Sequence, residues 1–318
     1  MIVADGRWTG EHGIGRYSRE VLSRLTFSAT LGTSRVQVAS VVDPFWLAYK
    51  LRSMGASTFF SPGYNCAYPT RVRQILVLHD LIHLDVAAES SRAKRLYYER
   101  FVRPAIRHAE AVVTVSEFSR GRLAEWSGLN RESICLAPGG LSSEFARVAI
   151  GPRLHQRPYV LFVGNRKVHK RADLALAAAT HLGDLDLLVV GNASWDLRQT
   201  NSDRERVHVV RSATDHDLAR LYRDAACLLM PSEYEGFGLP ALEAMSQGTE
   251  VVFSCDAVAD VAGGCGTRVP LDLGAAELAR VVVQVSERKG DVSASRCRER
   301  AALFNWNDTA RTISGLLT

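Results

Sequence analysis

Short apolar runs alternate along this chain with stretches whose apolar residues recur three and four positions apart, the two periods expected of buried strands and of helices. From the N-terminus the pattern predicts a strand over Met1–Asp5, a helix over Ile14–Leu25, and strands over Arg35–Val42, Thr58–Ser61 and Gln74–Leu78. A helix over Ser91–Ala109, interrupted near Pro104, and strands over Ala111–Val115 and Ser133–Ala137 follow. Residues 146–158, with Gly151, Pro152 and Pro158, read as a linker. The pattern then restarts: strands over Tyr159–Val163, Leu185–Val190, Val207–Val210, Ala226–Met230 and Val251–Ser254, helices over Ala172–His181, Asp215–Arg223, Leu239–Gln247 and Ala275–Glu287, and a last helix around Thr309–Leu317. Strands separated by helices imply parallel sheets with crossover connections. Two similar halves about a Pro-containing joint predict an α/β chain of two doubly wound, Rossmann-like domains, 1–150 and 151–318, the last helix able to pack back on the first domain. Such sheets bind ligands beyond the carboxyl ends of their strands, so two facing halves would put a site in the cleft between them.

The stretch richest in chemistry is Glu235–Glu243, EGFGLPALE, between the predicted strand Ala226–Met230 and a helix. Pro240 suits a first helical turn, where its missing N–H costs nothing. Gly236 and Gly238 let the backbone approach a ligand closely. The amides around Phe237, Gly238 and Leu239, with the positive end of the helix dipole, would then seat an anion. Glu235 before the helix and Glu243 in its expected first turn would accept hydrogen bonds from hydroxyl groups. An anion seat flanked by two hydroxyl acceptors suggests a nucleotide sugar; the alternative is a plain strand-to-helix turn with two solvated glutamates. Three more stretches fall at strand ends. Gly13-Ile14-Gly15 follows the first strand, without the third glycine of a dinucleotide fingerprint. His79-Asp80 ends QILVL, and Gly164-Asn165-Arg166-Lys167-Val168-His169-Lys170 gathers three cations and a histidine after the first strand of the second half. Those cations suit a diphosphate that gains charge as its sugar leaves, or else form a solvated basic loop.

With its two glutamates and intervening GFGLP, the stretch resembles the signature of family-4 retaining glycosyltransferases (group 1 glycosyltransferases), whose fold is GT-B. The resemblance runs from Met1 to Trp306 and includes TVSEFSR (Thr114–Arg120), where Ser116 is expected to cap a helix. It implies that Gly13 and Gly15 close over the donor diphosphate, that His79 contacts the donor sugar near the reacting carbon with Asp80 orienting its ring, and that Lys170 grips the phosphates with Arg166. Asn165 stands where the family usually has Arg. Glu243 would hold the ribose hydroxyls, Glu235 the transferred sugar, and the Gly238 and Leu239 amides the sugar or phosphate, with Phe237 and Gly164 lining the donor site. The departing phosphate oxygen would take the acceptor's proton, so neither glutamate need act as a base. The resemblance thus implies a retaining transfer of a hexose, mannose-like rather than otherwise, from a GDP- or UDP-linked sugar. No metal cofactor is expected: Asp184-Leu185-Asp186 has the letters of a D-x-D but opens a buried-looking strand away from the other motifs. Alternatives are a nucleotide-sugar epimerase of the same fold and a non-catalytic sugar-binding protein.

Composition sets the class. The chain has 318 residues, 47% apolar and 23% charged, as in soluble two-domain proteins. Its apolar runs are well short of the roughly 18 residues that span a bilayer. Met1 leads directly into IVAD without a basic and apolar leader, and the six cysteines include no C-x-x-C pair, so reduced thiols in a cytoplasmic protein are expected. Charge is uneven: residues 1–150 carry 19 Lys and Arg against 13 Asp and Glu, a net +6, whereas residues 151–318 carry 20 against 21, a net −1. Six of the cations lie in Arg92–Arg107, interleaved with Tyr97, Tyr98 and Phe101. Such a helix suits an anionic membrane surface or an acidic acceptor, or else packs Leu96, Phe101 and Val102 inward. The expected partners are therefore a nucleotide sugar and a glycan or lipid-linked glycan acceptor at the inner membrane face, in surface polysaccharide or glycolipid synthesis. With no recognised nucleic-acid module, nucleic acid is not an expected partner.

Overall fold

The computed structural model describes residues 1–10, 12–191, 195 and 205–318. The chain divides into two compact units, Met1–Gly139 with Asn305–Thr318, and Gly140–Phe304. Each is a parallel six-stranded sheet with helices, the Rossmann-like class that the alternating pattern implies.

In the first unit β1 (Ile2–Asp5), α1 (Gly13–Leu22), β2 (Ala29–Leu31), α2 (Asp43–Ser53), β3 (Thr58–Ser61) and β4 (Arg73–Val77) come first. Next are α3 (Ile82–Asp85), α4 (Arg92–Tyr97), a π-turn over Tyr98–Val102, α5 (Arg103–Arg107), β5 (Ala111–Thr114), α6 (Glu117–Ser127) and β6 (Ile134–Leu136). The strand order is β2-β1-β3-β4-β5-β6. Because β2 and β3 pair on opposite sides of β1, the connections diverge there, and the switch point of this sheet lies at the carboxyl ends of β1 and β3. Both faces are covered, so β3 and β5 are buried along their whole length and read as continuous apolar or small-residue runs.

The second unit contains β7 (Tyr159–Val163), α7 (Ala172–Ala179), β8 (Asp186–Val190), β9 (Val207–Val210), α8 (Asp215–Asp224) and β10 (Leu228–Met230). It continues with α9 (Leu239–Ser246), β11 (Val251–Phe253), α10 (Asp256–Ala262), β12 (Gly266–Arg268), α11 (Ala275–Glu287) and α12 (Asp291–Ala301). The chain winds outward through β7, β8 and β9, then returns to the other side of β7 as β10, giving the order β12-β11-β10-β7-β8-β9. Leu228 of β10 lies opposite Leu161 of β7, so the loops after these strands emerge side by side at the switch point. The last helix, α13 (Trp306–Leu317), packs on α1 in the first unit.

Several expectations need correction. Arg35–Val42 forms no strand; the strand beside β1 is Ala29–Leu31. The loop before α2 is pinned instead by Asp43, whose carboxylate accepts from the Ala39 amide at 3.0 Å and pairs with Arg7 at 2.7 Å. The break in the 91–109 helix is the π-turn just before Pro104, whose ring cannot coexist with a regular bond to the carbonyl four residues back. Part of the expected linker is structure of the second unit. The buried Gln247 amide donates to the Arg147 carbonyl and accepts from Ala149 N–H at 2.7 Å, and Phe145, just before this stretch, is fully buried edge-on to Tyr222. No helix among the described residues is long and apolar enough to cross a membrane.

Candidate functional site

After β7 the chain makes a 3-10 turn over Val168–Lys170 and then places Arg171 in the left-handed region (φ 51°), capping α7. This aims Lys170 across the switch point. Its Nζ lies 2.6 and 2.8 Å from the two carboxylate oxygens of Glu235, in the turn after β10. The two turns are also tied through the backbone, Glu233 N–H donating to the carbonyl of buried His169 at 2.8 Å. Both charged side chains are mostly covered but reach solvent. A cation and a carboxylate meeting at the carboxyl edge form a charge-assisted pair that an incoming anion and a hydroxyl group can exchange into.

α9 opens at Gly238, in the left-handed region (φ 106°), where a Cβ would come within 3.1 Å of Val258 Cγ2. The left-handed backbone favours glycine, and a larger residue would also have to displace the Val258 side chain by a few tenths of an ångström. The first-turn amides, which have no intrahelical acceptor, therefore start at Leu239, one turn from Glu235, with Pro240 inside the turn. Phe237 is buried, edge-on to Phe304 at 5.7 Å. At the end of β11 the Cys255 thiol is pushed up to about 12, first by burial and then by the charge of Glu235, so it stays protonated.

Glu243 departs from expectation. It is the fifth residue of α9, hence in the second turn and not the first, and it is only 5% exposed. Its Oε2 accepts from the hydroxyl of fully buried Tyr222 at 3.0 Å, so it is not a solvated glutamate flanking an open seat. Arg166 is likewise committed elsewhere: its Nη2 lies 2.8 Å from Asp173 in the first turn of α7, and the guanidinium sits 5.9 Å above the Trp195 ring. Lys170 and Arg166 are thus held by carboxylates on different elements. Asn165 closes a local turn, its Oδ1 accepting from Lys167 N–H at 3.2 Å, and Gly164 is tied at both ends, by Val190 O and by Trp195 Nε1. Tyr222, Asp173 and Trp195 were not singled out by the sequence. Asp173 carried a faint signal as an acid opening a helix beside a basic loop; Tyr222 carried none.

In the first unit the expected glycine loop is helical. Gly13 and Gly15 lie in the first turn of α1, and the Gly15 N–H is taken by Nδ1 of His12, the N-cap, at 3.1 Å. Gly15 is demanded by packing, since a Cβ there would stand 2.3 Å from the Gly10 carbonyl oxygen. His79, past the end of β4, is buried with its ring edge-on to Tyr17 at 4.8 Å. Its Nε2 donates to the Pro62 carbonyl at 2.8 Å, so that carbonyl sets the ring; Asp80 instead accepts from Ile82 N–H. Burial pushes the imidazole below its usual range and keeps it neutral. The backbone beneath is held by a buried cluster in which Arg7 spans Asp5 and Asp43, both at 2.7 Å. In Arg92–Arg107 Tyr97 and Tyr98 are buried and Phe101 is half-buried, whereas Leu96 is exposed.

Residues 157–288, the core of the second unit, match the family of glycosyl transferases group 1. O-antigen chain mannosyltransferase B of Escherichia coli is 24% identical over 303 residues, 88% of this chain and 79% of that protein. D-inositol 3-phosphate glycosyltransferase of Mycobacteroides abscessus is 32% identical over 183 residues, 53% of this chain and 40% of that protein. In fold the chain is similar to sucrose-phosphate synthase from Thermosynechococcus elongatus (TM-score 0.77, 20% identity, 99% of this chain and 98% of that one). It is equally similar to HepE from Anabaena, solved with UDP-glucose (TM-score 0.77, 14% identity, 99% and 98%).

Proposed function

We propose that this chain, whose residues 157–288 match the family of glycosyl transferases group 1, moves a hexosyl group with retention from a nucleoside-diphosphate sugar to a glycan acceptor, without a metal cofactor. The observation that carries this reading is the Lys170–Glu235 pair at the switch point of the second sheet. A pyrophosphate entering beside α9 would take Lys170 as its counter-ion, and Glu235, released from the ammonium, would accept hydrogen bonds from the sugar hydroxyls. Negative charge grows on the leaving phosphate as the glycosidic bond breaks, so a fixed ammonium and helix-terminal amides stabilise the transition state more than the ground state. Arg166 would join them only by leaving Asp173. In the first unit His79 is assigned to the sugar as a neutral hydrogen-bonding group rather than an acid. UDP-glucose in HepE and the mannosyl activity named for the Escherichia coli relative are compatible with a UDP- or GDP-linked hexose.

For the acceptor we propose a lipid-linked glycan in surface polysaccharide or glycolipid synthesis, met peripherally at the inner membrane face. The support is the +6 charge of residues 1–150 and the exposure of Phe45, Tyr49 and Val42 around α2, with Phe45 edge-on to Phe101 of the basic segment at 5.4 Å. A thermal-shift screen of UDP-, GDP-, ADP- and dTDP-sugars, followed by mass analysis with a glycan acceptor, tests the reading. Stabilisation by one nucleotide sugar and an acceptor heavier by one hexose are expected. Conversion of donor alone to an isomer of equal mass would establish an epimerase instead, and no stabilisation by any of the four would remove the assignment. Vesicles containing anionic lipid should retain the protein, and Phe45→Ser with Tyr49→Ser should release it.

A further inference from the structure

We infer that His155, Asp186 and His208 form a binding site for one divalent transition-metal ion, zinc by preference, at the amino edge of the second sheet. Asp186, the first residue of β8, is fully buried, and three side chains converge on it. His155 Nε2 lies 2.7 Å and His208 Nε2 3.3 Å from the same oxygen, Oδ2, and the donor atoms of the three residues all lie within 4.8 Å of one another. The other oxygen, Oδ1, accepts from Arg157 Nε at 3.1 Å. This division of labour suits a ligand carboxylate, one oxygen free for the ion and the other fixed by an outer hydrogen bond. The second observation is at His208, whose Nε2 is inaccessible to solvent yet makes no hydrogen bond, despite its closeness to Asp186. A buried ring nitrogen without a partner is costly, and an ion bound there would use it.

Two imidazoles and one carboxylate are ligands that zinc accepts, with water completing a tetrahedron. Bonds of about 2.0–2.2 Å require ligand atoms nearer than the widest separation here. The His208 side chain, 41% exposed, has the freedom to close that gap. The site is remote from the donor chemistry. Asp186 pairs with Tyr159 at the start of β7, and Gly164 follows the far end of that strand, so roughly 16 Å of sheet separates them. An ion there would fasten the stretch before β7 to the paired strands β8 and β9, and would be structural rather than catalytic.

The test uses the full chain, stripped with chelator and dialysed, titrated with Zn²⁺ by calorimetry and with Co²⁺ by visible absorption. One equivalent bound, tetrahedral Co²⁺ bands and a rise in Tm on adding Zn²⁺ are expected. His208→Gln, which leaves the Asp186–Arg157 and Asp186–His155 contacts in place, should weaken binding at least tenfold and abolish the Tm rise. His181→Gln, at an exposed histidine elsewhere, should change neither. No stoichiometric binding, or binding undiminished in His208→Gln, would overturn the inference and leave an Asp–His–Arg ion cluster.

Discussion

Lys170 and Glu235 are 65 positions apart in sequence, yet the ammonium of one sits within 2.8 Å of both carboxylate oxygens of the other. The β7–β10 pairing and the Glu233–His169 backbone bond bring them together. Because both side chains retain some solvent contact, the pair adds only about 1 kcal/mol or less to stability. Its value is then expected in turnover. Lys170→Ala should lower kcat by roughly 10²–10³-fold, with Tm nearly unchanged and nucleotide affinity reduced far less. Single-turnover kinetics with calorimetric titration of the nucleotide diphosphate check this. A raised KM at unchanged kcat would place the lysine in ground-state binding alone.

Tyr222 and Glu243 form the buried counterpart. Removing the hydroxyl in Tyr222→Phe deprives a largely buried carboxylate of a donor at 3.0 Å, which should cost about 1–3 kcal/mol of stability. If Glu243 also holds the ribose, its reorientation should weaken nucleotide binding in the same variant. Urea unfolding and nucleotide titration separate the two effects. Stability lost with affinity intact would make Glu243 a structural residue of α9.

Glycines in two helices give opposite expectations. Gly15→Ala must fit a methyl group 2.3 Å from the Gly10 carbonyl oxygen, where the obstacle is backbone. Destabilisation by about 1–3 kcal/mol is expected. Gly121, inside α6, has nothing within 4 Å of the same methyl, so Gly121→Ala should stabilise by about 0.5–1 kcal/mol. Tm measurements on both variants decide, and a stable Gly15→Ala would show that the Gly10 turn yields.

What was legible in the sequence follows from where the information lies. Tyr159–Val163, Val207–Val210 and Ala275–Glu287 coincide with elements because each carries its own period, a buried run or a helical stripe. Arg35–Val42 has the composition of a strand, but its conformation depends on Asp43 and Arg7, partners set by the fold. The helices α2 and α12 were missed, the latter because its polar, charged surface leaves a weak apolar stripe. At the site, the glycines and proline of the 236–240 turn announced a helix start, as backbone constraints are local. The Tyr222 contact to Glu243 and the turning of Arg166 onto Asp173 were not readable, since side-chain partners depend on how α8 and α7 pack.

His79 gives the pH dependence. Burial holds its folded-state pKa below the ordinary value of 6.5, so the folded protein resists a proton that the unfolded chain accepts. Its contribution to stability is therefore fully present above about pH 6.5 and declines as pH falls from there toward the folded-state pKa, with a slope no steeper than about 1.4 kcal/mol per pH unit. His79→Gln keeps a donor for the Pro62 carbonyl but cannot titrate, so its urea-unfolding free energy should fall less than that of the natural chain between pH 7 and pH 5. The other histidines titrate in both proteins and cancel in the difference. Parallel pH profiles would mean that the imidazole takes up its proton as readily in the folded protein as in the unfolded chain, and the proposal that burial keeps His79 neutral for its role at the sugar would fall with it.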